Sequence, residues 1–223
     1  MTIEKGRLYV VATPIGNPRD ITLRALDVLK EVDAVICEEQ REGSTLLKKL
    51  GIDKPIVLLN EHNEAERAPD LAIRIHKGEA LALISDCGTP VFADPGASLI
   101  ARLVEMGVPV TPVPGPSSLM AALSVLDMPM ERFLYAGFLP RDKTERRNAL
   151  RGLRQMRQPF VLLDAPYRLV QVLEDISSII GGKTRLTLCM DLTLPSELIL
   201  RGTVDEVRQR VGQRKSEFVL IVH

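Results

Sequence analysis

The chain has 223 residues, with 29 Lys+Arg against 29 Asp+Glu, 45% hydrophobic and 26% charged residues. This balance excludes a disordered chain, and with no long apolar run and no apolar N-terminal stretch it predicts neither a membrane span nor a signal peptide, hence a globular, cytoplasmic protein. Cys37, Cys87 and Cys189 are scattered and form no C-x-x-C pair, so neither a zinc site nor a disulfide framework is expected, and no metal.

Short apolar runs alternate with helical spacings. Arg7–Thr13 reads as a buried strand, and Thr22–Lys30 places Leu23, Leu26 and Leu29 on one helical face. A strand follows at Asp33–Cys37, then a helix at Ser44–Leu50 ended by Gly51. Pro55–Asn60 is a strand, and Glu64–Lys77 a helix ended by Gly78. Ala80–Ser85 is a fourth strand, Ala97–Met106 a helix ended by Gly107, and Val108–Val113 a fifth strand. Five strands alternating with helices predict a mostly parallel sheet covered on both faces.

Pro112-Val113-Pro114-Gly115-Pro116 is too rigid for a helix or a central strand, and a domain boundary is placed there, giving 1–113 and 114–223. Beyond it, helices are predicted at Ser117–Leu126, Lys143–Met156, Arg168–Ile180 and Val204–Val211. Strands are predicted at Phe133–Phe138, Pro159–Asp164, Arg185–Met190, Glu197–Gly202 and Glu217–Val222. Some of these strands have no helix between them, so the second sheet is expected to be mixed.

Among the 15 glycines no two are separated by a single residue, so G-x-G-x-x-G is absent, and there is no P-loop. Polar, turn-forming segments nevertheless follow the strands, where open α/β sheets bind ligands. Thr13–Asp20, with Pro14 and Gly16, makes a stiff loop that a ligand can approach closely; the plainer reading is that Asp20 or Thr22 caps the next helix. Ser85-Asp86-Cys87-Gly88-Thr89-Pro90 suits a carboxylate or a ribose, with Asp86 able to accept from hydroxyls or an amine; the plainer reading is two successive turns with a cap, Asp94 being placed as cap of a helix starting at Pro95. Pro114–Ser118, with Ala121 and Ala122 one turn on, leaves space at a helix start; a proline hinge with Ser117 as cap explains it as well. Glu61-His62-Asn63-Glu64 is either a catalytic cluster or a cap, Asn63 with Glu66. Glu38-Glu39-Gln40-Arg41 either orients substrate or pairs Glu39 with Arg41.

The segment 141–157 holds seven basic and two acidic residues, and Lys143, Arg147, Arg151 and Arg154 share one helical face. Such a stripe suits phosphates. The zero net charge is itself a cancellation: residues 1–113 carry −4 and residues 114–223 carry +4. Local charge governs steering, so an RNA partner is permitted.

Taken together, LYVVATPIGNPRDITLRAL (8–26), EHNE (61–64), SDCGTPVFADPG (85–96), PGPSS (114–118) and GFLPR (137–141) make the chain resemble the tetrapyrrole methylase superfamily. It resembles most the branch that 2′-O-methylates a cytidine of 16S ribosomal RNA. The resemblance spans nearly the whole chain. It implies two α/β domains, a homodimer, and S-adenosyl-L-methionine held in the cleft between domains. It implies further that Ser85, Asp86, Gly88 and Thr89 line the methionine and ribose side. Ser117, Ser118 and Ala121 would contact the cofactor, Leu139 would approach the adenosine, and Pro14, Gly16 and Asn17 would sit beside the reacting centre. Ribosomal RNA or the small ribosomal subunit would be the partner, with Arg141, Lys143, Arg147, Arg151 and Arg154 on its phosphates.

The chain also departs from the branch. An acidic-Asp-Thr-Arg stretch is here Glu38-Glu39-Gln40-Arg41, Tyr-Glu-Ser-Pro-His-Arg is Leu163-Asp164-Ala165-Pro166-Tyr167-Arg168, and Glu-Leu-Thr-Lys is Asp191-Leu192-Thr193-Leu194. The chain stops at His223 without the small C-terminal extension typical of the branch. Three readings follow: an RNA 2′-O-methyltransferase with Asp20, Glu39 or His62 as general base, a methyltransferase of a tetrapyrrole carbon or other small molecule, and a cofactor-binding dimer without activity.

Overall fold

A computed structural model describes residues 3–92 and 94–223. The chain divides into two units, Met1–Ser117 and Ser118–His223, each built on its own five-stranded sheet.

In the first unit, β1 (Arg7–Val11), β2 (Ala34–Cys37), β3 (Ile56–Leu58), β4 (Ala80–Ile84) and β5 (Val110–Val113) form an all-parallel sheet in the order β3-β2-β4-β1-β5. Every residue of β2 and β4 is buried, as their unbroken apolar runs require of strands covered on both faces. The chain steps one way across the sheet from β1 to β3, then returns from β3 to β5. Right-handed crossovers therefore put α1 (Leu23–Glu31) and α2 (Gln40–Lys49) on one face, and α3 (Glu64–His76) and α4 (Ala97–Glu105) on the other. Tyr9, Val11, Val35, Cys37, Ala82 and Ile84 pack under α1 and α2. Leu8, Ile36, Leu81 and Leu83 pack under α3 and α4. Pro112 sits in β5, an edge strand, where a missing N–H costs least.

Helix starts differ from expectation. Thr22, not Asp20, caps α1: its Oγ1 accepts the Ala25 N–H at 3.1 Å, while Asp20 closes a 3₁₀ turn, Pro18–Asp20. The α2 helix begins at Gln40 rather than Ser44, and its first turn packs closely on β2: a Cβ at Gly43 would meet Cys37 Sγ at 2.6 Å. Asn63 flanks α3 without a side-chain cap; its Oδ1 turns back to the Asn60 N–H at 2.9 Å. The α4 helix starts at Ala97, not Pro95, and its cap is not Asp94. Glu64 supplies it from α3, with Oε1 accepting the Gly96 N–H at 3.0 Å and the Ser98 N–H at 2.9 Å.

The second unit holds β6 (Leu134–Gly137), β7 (Phe160–Asp164), β8 (Arg185–Met190), β9 (Leu198–Thr203) and β10 (Phe218–Val222) in the order β6-β7-β10-β8-β9. Only β6 and β7 are parallel, so the sheet is mixed. One face carries α6 (Lys143–Met156), α7 (Leu169–Ile176) and α8 (Val204–Val211) over the main core. The other carries the short α5 (Ser118–Ser124), whose Ala122 meets Val161, Cys189, Val219 and Ile221. The single helix expected over 168–180 is three pieces: a 3₁₀ turn Pro166–Arg168, α7, and a π-helical segment Ser177–Gly181.

Candidate functional site

All five strands of the first sheet run the same way, so every loop that follows a strand emerges at one edge. Three of these loops are knitted together there. The Thr13 N–H donates to the Gly88 carbonyl at 2.8 Å, forming an isolated bridge between the loops after β1 and β4. Thr13 Oγ1 lies 3.2 Å from the Ser85 carbonyl and 3.4 Å from that of Gly88, and Ser85 Oγ donates to the Gly88 carbonyl at 3.2 Å. Thr89 Oγ1 donates to the Pro116 carbonyl at 3.2 Å, tying in the loop after β5. Gly115 closes the same junction, since a Cβ there would stand 3.0 Å from that of Ala12.

This knitting changes the roles open to the expected site residues. Ser85 is buried and its hydroxyl is used inside the loop, while that of Thr89 is used on the loop after β5, so both build the site. Gly88 has φ 82°, a left-handed backbone that glycine adopts without strain, and a Cβ there would lie 3.2 Å from Ile15 Cγ2. Val91, a β-branched residue at φ 73°, is strained in the same loop, and its Cγ2 would stand 3.2 Å from a Cβ at Gly96. Pro14 and Gly16 are half-buried in the loop after β1, and Ser117 is half-buried after β5. Ser118 and Ala121 belong to α5 in the second unit.

Carboxylates gather at this edge. Burial pushes the Glu38 carboxyl above its usual range, and the charges of Asp86, Asp94, Glu39 and Glu61 push the same way. Asp86 is raised first by the loss of water around it, against a backbone N–H of Glu39 that pulls it down, with Glu42 and Glu39 adding repulsion. Asp94 is raised by burial and by Asp86, with the Ser85 hydroxyl opposing. Glu39 flanks this group at the start of α2, and among the described residues no ion pair joins it to Arg41. His62 is exposed and lies 3.5 Å from Glu61 Oε1. An edge of mutually repelling carboxylates favours a cationic ligand, because a positive charge relieves the repulsion.

In the second unit the basic stripe is only partly available. Arg146 is fully buried, with Nε 2.8 Å from Asp175 Oδ2 and Nη1 donating to the Arg141 carbonyl at 2.9 Å. Arg147 Nε lies 3.3 Å from Asp175 Oδ1, and its Nη2 donates to Ser178 Oγ at 2.7 Å. Arg154 Nη1 donates to the Ile179 carbonyl of the π segment at 2.8 Å. Arg147 and the exposed Arg154 thus fasten α6 to α7 and the π segment, while among the described residues exposed Arg141 and Lys143 point to no other element and exposed Arg151 meets only Asn148 Oδ1 on its own helix, at 2.7 Å. Leu139 is 4% exposed and its side chain packs in the main core, so an approach to an adenosine there falls to its backbone. Phe138 is the exposed member of that loop. A cavity of about 260 Å³ beside Arg154, Arg157 and His223 lies at the start of β7, the opposite end of that strand from these loops.

The tetrapyrrole (corrin/porphyrin) methylase family model matches residues 7–208. The chain is 40% identical over 221 residues to ribosomal RNA small subunit methyltransferase I of Xylella fastidiosa (strain Temecula1), covering 97% of this chain and 81% of that protein. It is 39% identical to the protein of that name from Escherichia coli O157:H7, covering 98% of this chain and 78% of that one. Among solved structures, diphthine synthase superposes with a TM-score of 0.71 at 16% identity, covering 97% and 89% of the two chains. The uroporphyrin-III-C-methyltransferase of Thermus thermophilus superposes with a TM-score of 0.65 at 23% identity, covering 97% and 94%. These likenesses show the shared fold.

Proposed function

The chain belongs to the tetrapyrrole methylase family and is a methyltransferase, and from that premise we propose that it methylates a cytidine ribose 2′-hydroxyl of 16S ribosomal RNA, using S-adenosyl-L-methionine. The observation that carries the substrate is the 40% identity, over 97% of the chain, to a protein named for ribosomal RNA of the small subunit.

The cofactor, when bound, supplies an electrophilic methyl group on a sulfonium. The chain's own residues fit such a group at the edge of the first sheet. The carboxylates of Glu38, Asp86 and Asp94 compensate positive charge. Gly88 and the chain through Pro14 and Gly16 give a close backbone approach, and Ser85, Thr89 and Thr13 hold that backbone still. Ser117, Ser118 and Ala121 are proposed as further contacts on the strength of the resemblance. The methyl donor is already activated, so the protein's tasks are to position the hydroxyl and to accept its proton. Of Asp20, Glu39 and His62 we assign that proton to Glu39, which follows Glu38 at the start of α2 on the edge where these loops emerge, with Asp20 and His62 as the alternatives. Exposed Arg141, Lys143 and Arg151 are assigned to phosphates of the RNA. A homodimer in the cytoplasm is the proposed setting; among the described residues no helix is long and apolar enough to cross a membrane.

The test is transfer of labelled methyl to small ribosomal subunits from a strain lacking this gene, followed by mapping of the ribose. Label in a cytidine 2′-O position supports the assignment. Label in a porphyrinogen precursor and none in the subunits moves the chain to small-molecule chemistry. Cofactor binding by calorimetry without transfer to either assigns a dimer without activity.

A further inference from the structure

The chain has no Trp, three Tyr and five Phe, and most of these rings are covered. Among the described residues the exposed aromatics are Phe92, Phe138 and Tyr167, at 55%, 56% and 64%. Two of the three stand in loops that are tied to each other. Phe138 follows β6 and Tyr167 follows β7, and these are parallel neighbours in the second sheet. Arg168, next to Tyr167, donates Nη1 to the Leu139 carbonyl at 2.9 Å and Nη2 to the Pro140 carbonyl at 2.7 Å. Each ring is therefore one residue away from a 2.9 Å hydrogen bond that links the two loops.

The mounting is stiff. Arg168 is 6% exposed and its Nη1 lies 3.1 Å from Oδ1 of the buried Asp164. Arg146, fully buried against Asp175, takes the next carbonyl, that of Arg141. Two buried guanidiniums thus hold three consecutive carbonyls, 139 to 141. A connection that merely joined β6 to α6 has no need of two buried ion pairs, whose desolvation is costly. Arg141 and Lys143 stand exposed shortly after Phe138 in the chain, and the intervening Asp142 has its carboxylate turned to the Glu145 N–H at 2.9 Å as the α6 cap. Rigid aromatic faces with cationic neighbours are how proteins take an unpaired base and its phosphate.

We propose that Phe138 and Tyr167 form a stacking platform for an unpaired nucleobase of the substrate RNA, mounted on the Arg168 and Arg146 clamps. The proposal rests on the RNA reading above and adds the residues that read the strand. Phe138→Trp would give the chain its one indole. In that variant, titration with a cytidine-containing single-stranded RNA of about ten nucleotides is expected to quench the emission, and Tyr167→Ala in the same background to shrink the quench. With unmethylated small subunits as substrate, Phe138→Ala and Tyr167→Ala are each expected to raise KM by about 5- to 150-fold, with cofactor affinity unchanged by calorimetry. Phe138→Trp should retain a low KM and Phe138→Leu should not. Equal performance of Phe138→Leu, or an unchanged KM in the alanine variants of a protein that does methylate subunits, overturns the platform and leaves the RNA reading standing. Wild-type protein inactive on subunits overturns both. A shift in oligomeric state by sedimentation in the Ala variants assigns the rings to a contact between copies instead, and overturns the platform.

Discussion

Arg168 and Asp164 form a buried ion pair across the turn that follows β7, with Nη1 3.1 Å from Oδ1 and both residues nearly sealed from solvent. The pair lies in the stretch that departs from the family's usual Tyr-Glu-Ser-Pro-His-Arg. The carboxylate is one carbon shorter here, and the structure shows it gripping the guanidinium that holds the Leu139 and Pro140 carbonyls. At Asp164, which departs from that stretch, and at Arg168, which keeps its arginine, the side chains are internal scaffolding.

Arg168→Ala is expected to cost about 3–5 kcal/mol, since it leaves a buried carboxylate without its partner. Arg168→Lys should recover only part of this, because an ammonium cannot present a planar fork to two carbonyls and a carboxylate. Burial holds the Asp164 carboxyl above its usual range, while the Ala165 N–H and the charges of Arg168 and Arg146 pull it down. Because the folded value is raised, the favourable contribution of Asp164 is present at low pH and is lost as pH rises through that value. Removing Arg168 raises it further, so the deficit of the alanine variant should be larger at neutral pH than in the acid range. Urea melts at both pH values measure this, and an equal deficit at both would contradict the pairing.

Glu38, Asp86 and Asp94 are all raised, with burial first among the causes and mutual repulsion behind it. Raised carboxylates stabilise the fold at low pH and cease to do so as pH climbs through their folded values. Glu38→Gln is therefore expected to raise Tm at neutral pH, by a small amount because water still screens the half-exposed carboxylate. The gain should vanish below the ordinary carboxylate range, where wild-type Glu38 is protonated as well. Asp86→Asn should show the same sign for stability and the opposite sign for the cofactor, weakening its binding at neutral pH. Scanning calorimetry and titration calorimetry on the same samples separate the two effects.

The stripe on α6 divides by partner. Lys143→Ala and Arg151→Ala are each expected to lower the slope of log affinity against log salt by about one for RNA, with little change in stability. Arg147→Ala and Arg154→Ala should instead act through the fold, because one meets Asp175 and Ser178 and the other the Ile179 carbonyl. Salt titrations of RNA binding beside urea melts check the division; four equal salt slopes would count against it.

The parallel sheet was legible because β2 and β4 are unbroken apolar runs with glycine-ended helices between them, and the mixed sheet because no helix separates β8 from β9. Loops at the strand ends could be named for the same reason: direction follows from alternation. What escaped was long-range. Nothing near Arg146 marks it as buried, since its partner Asp175 lies 29 residues on. Nothing near Gly96 announces a cap supplied by Glu64, 32 residues earlier. The core position of the Leu139 side chain also follows the commoner rule for an apolar residue, which its place in a motif hid. The available signal was the alternation in Gly137-Phe138-Leu139, which leaves Phe138 and Leu139 on opposite sides.

The Thr13 hydroxyl offers the sharpest test of the knitted loops, because it lies fully buried between the Ser85 and Gly88 carbonyls and acts on the proposed site only through the backbone it holds. Thr13→Val keeps the shape and removes the donor, leaving only the Thr13 N–H and Ser85 Oγ on the Gly88 carbonyl. The expected loss of stability is about 1 kcal/mol, the net worth of one hydrogen bond. The effect on the cofactor should be larger in proportion, since both loops that approach it are released at one point. A several-fold weaker cofactor Kd, with kcat on saturated enzyme reduced less, is the expected pattern in titration calorimetry and steady-state assays. Thr13→Ser, which restores the donor without the methyl group, should recover most of the affinity. If valine and serine variants bind the cofactor equally well, the bridge between these loops has no part in shaping the site.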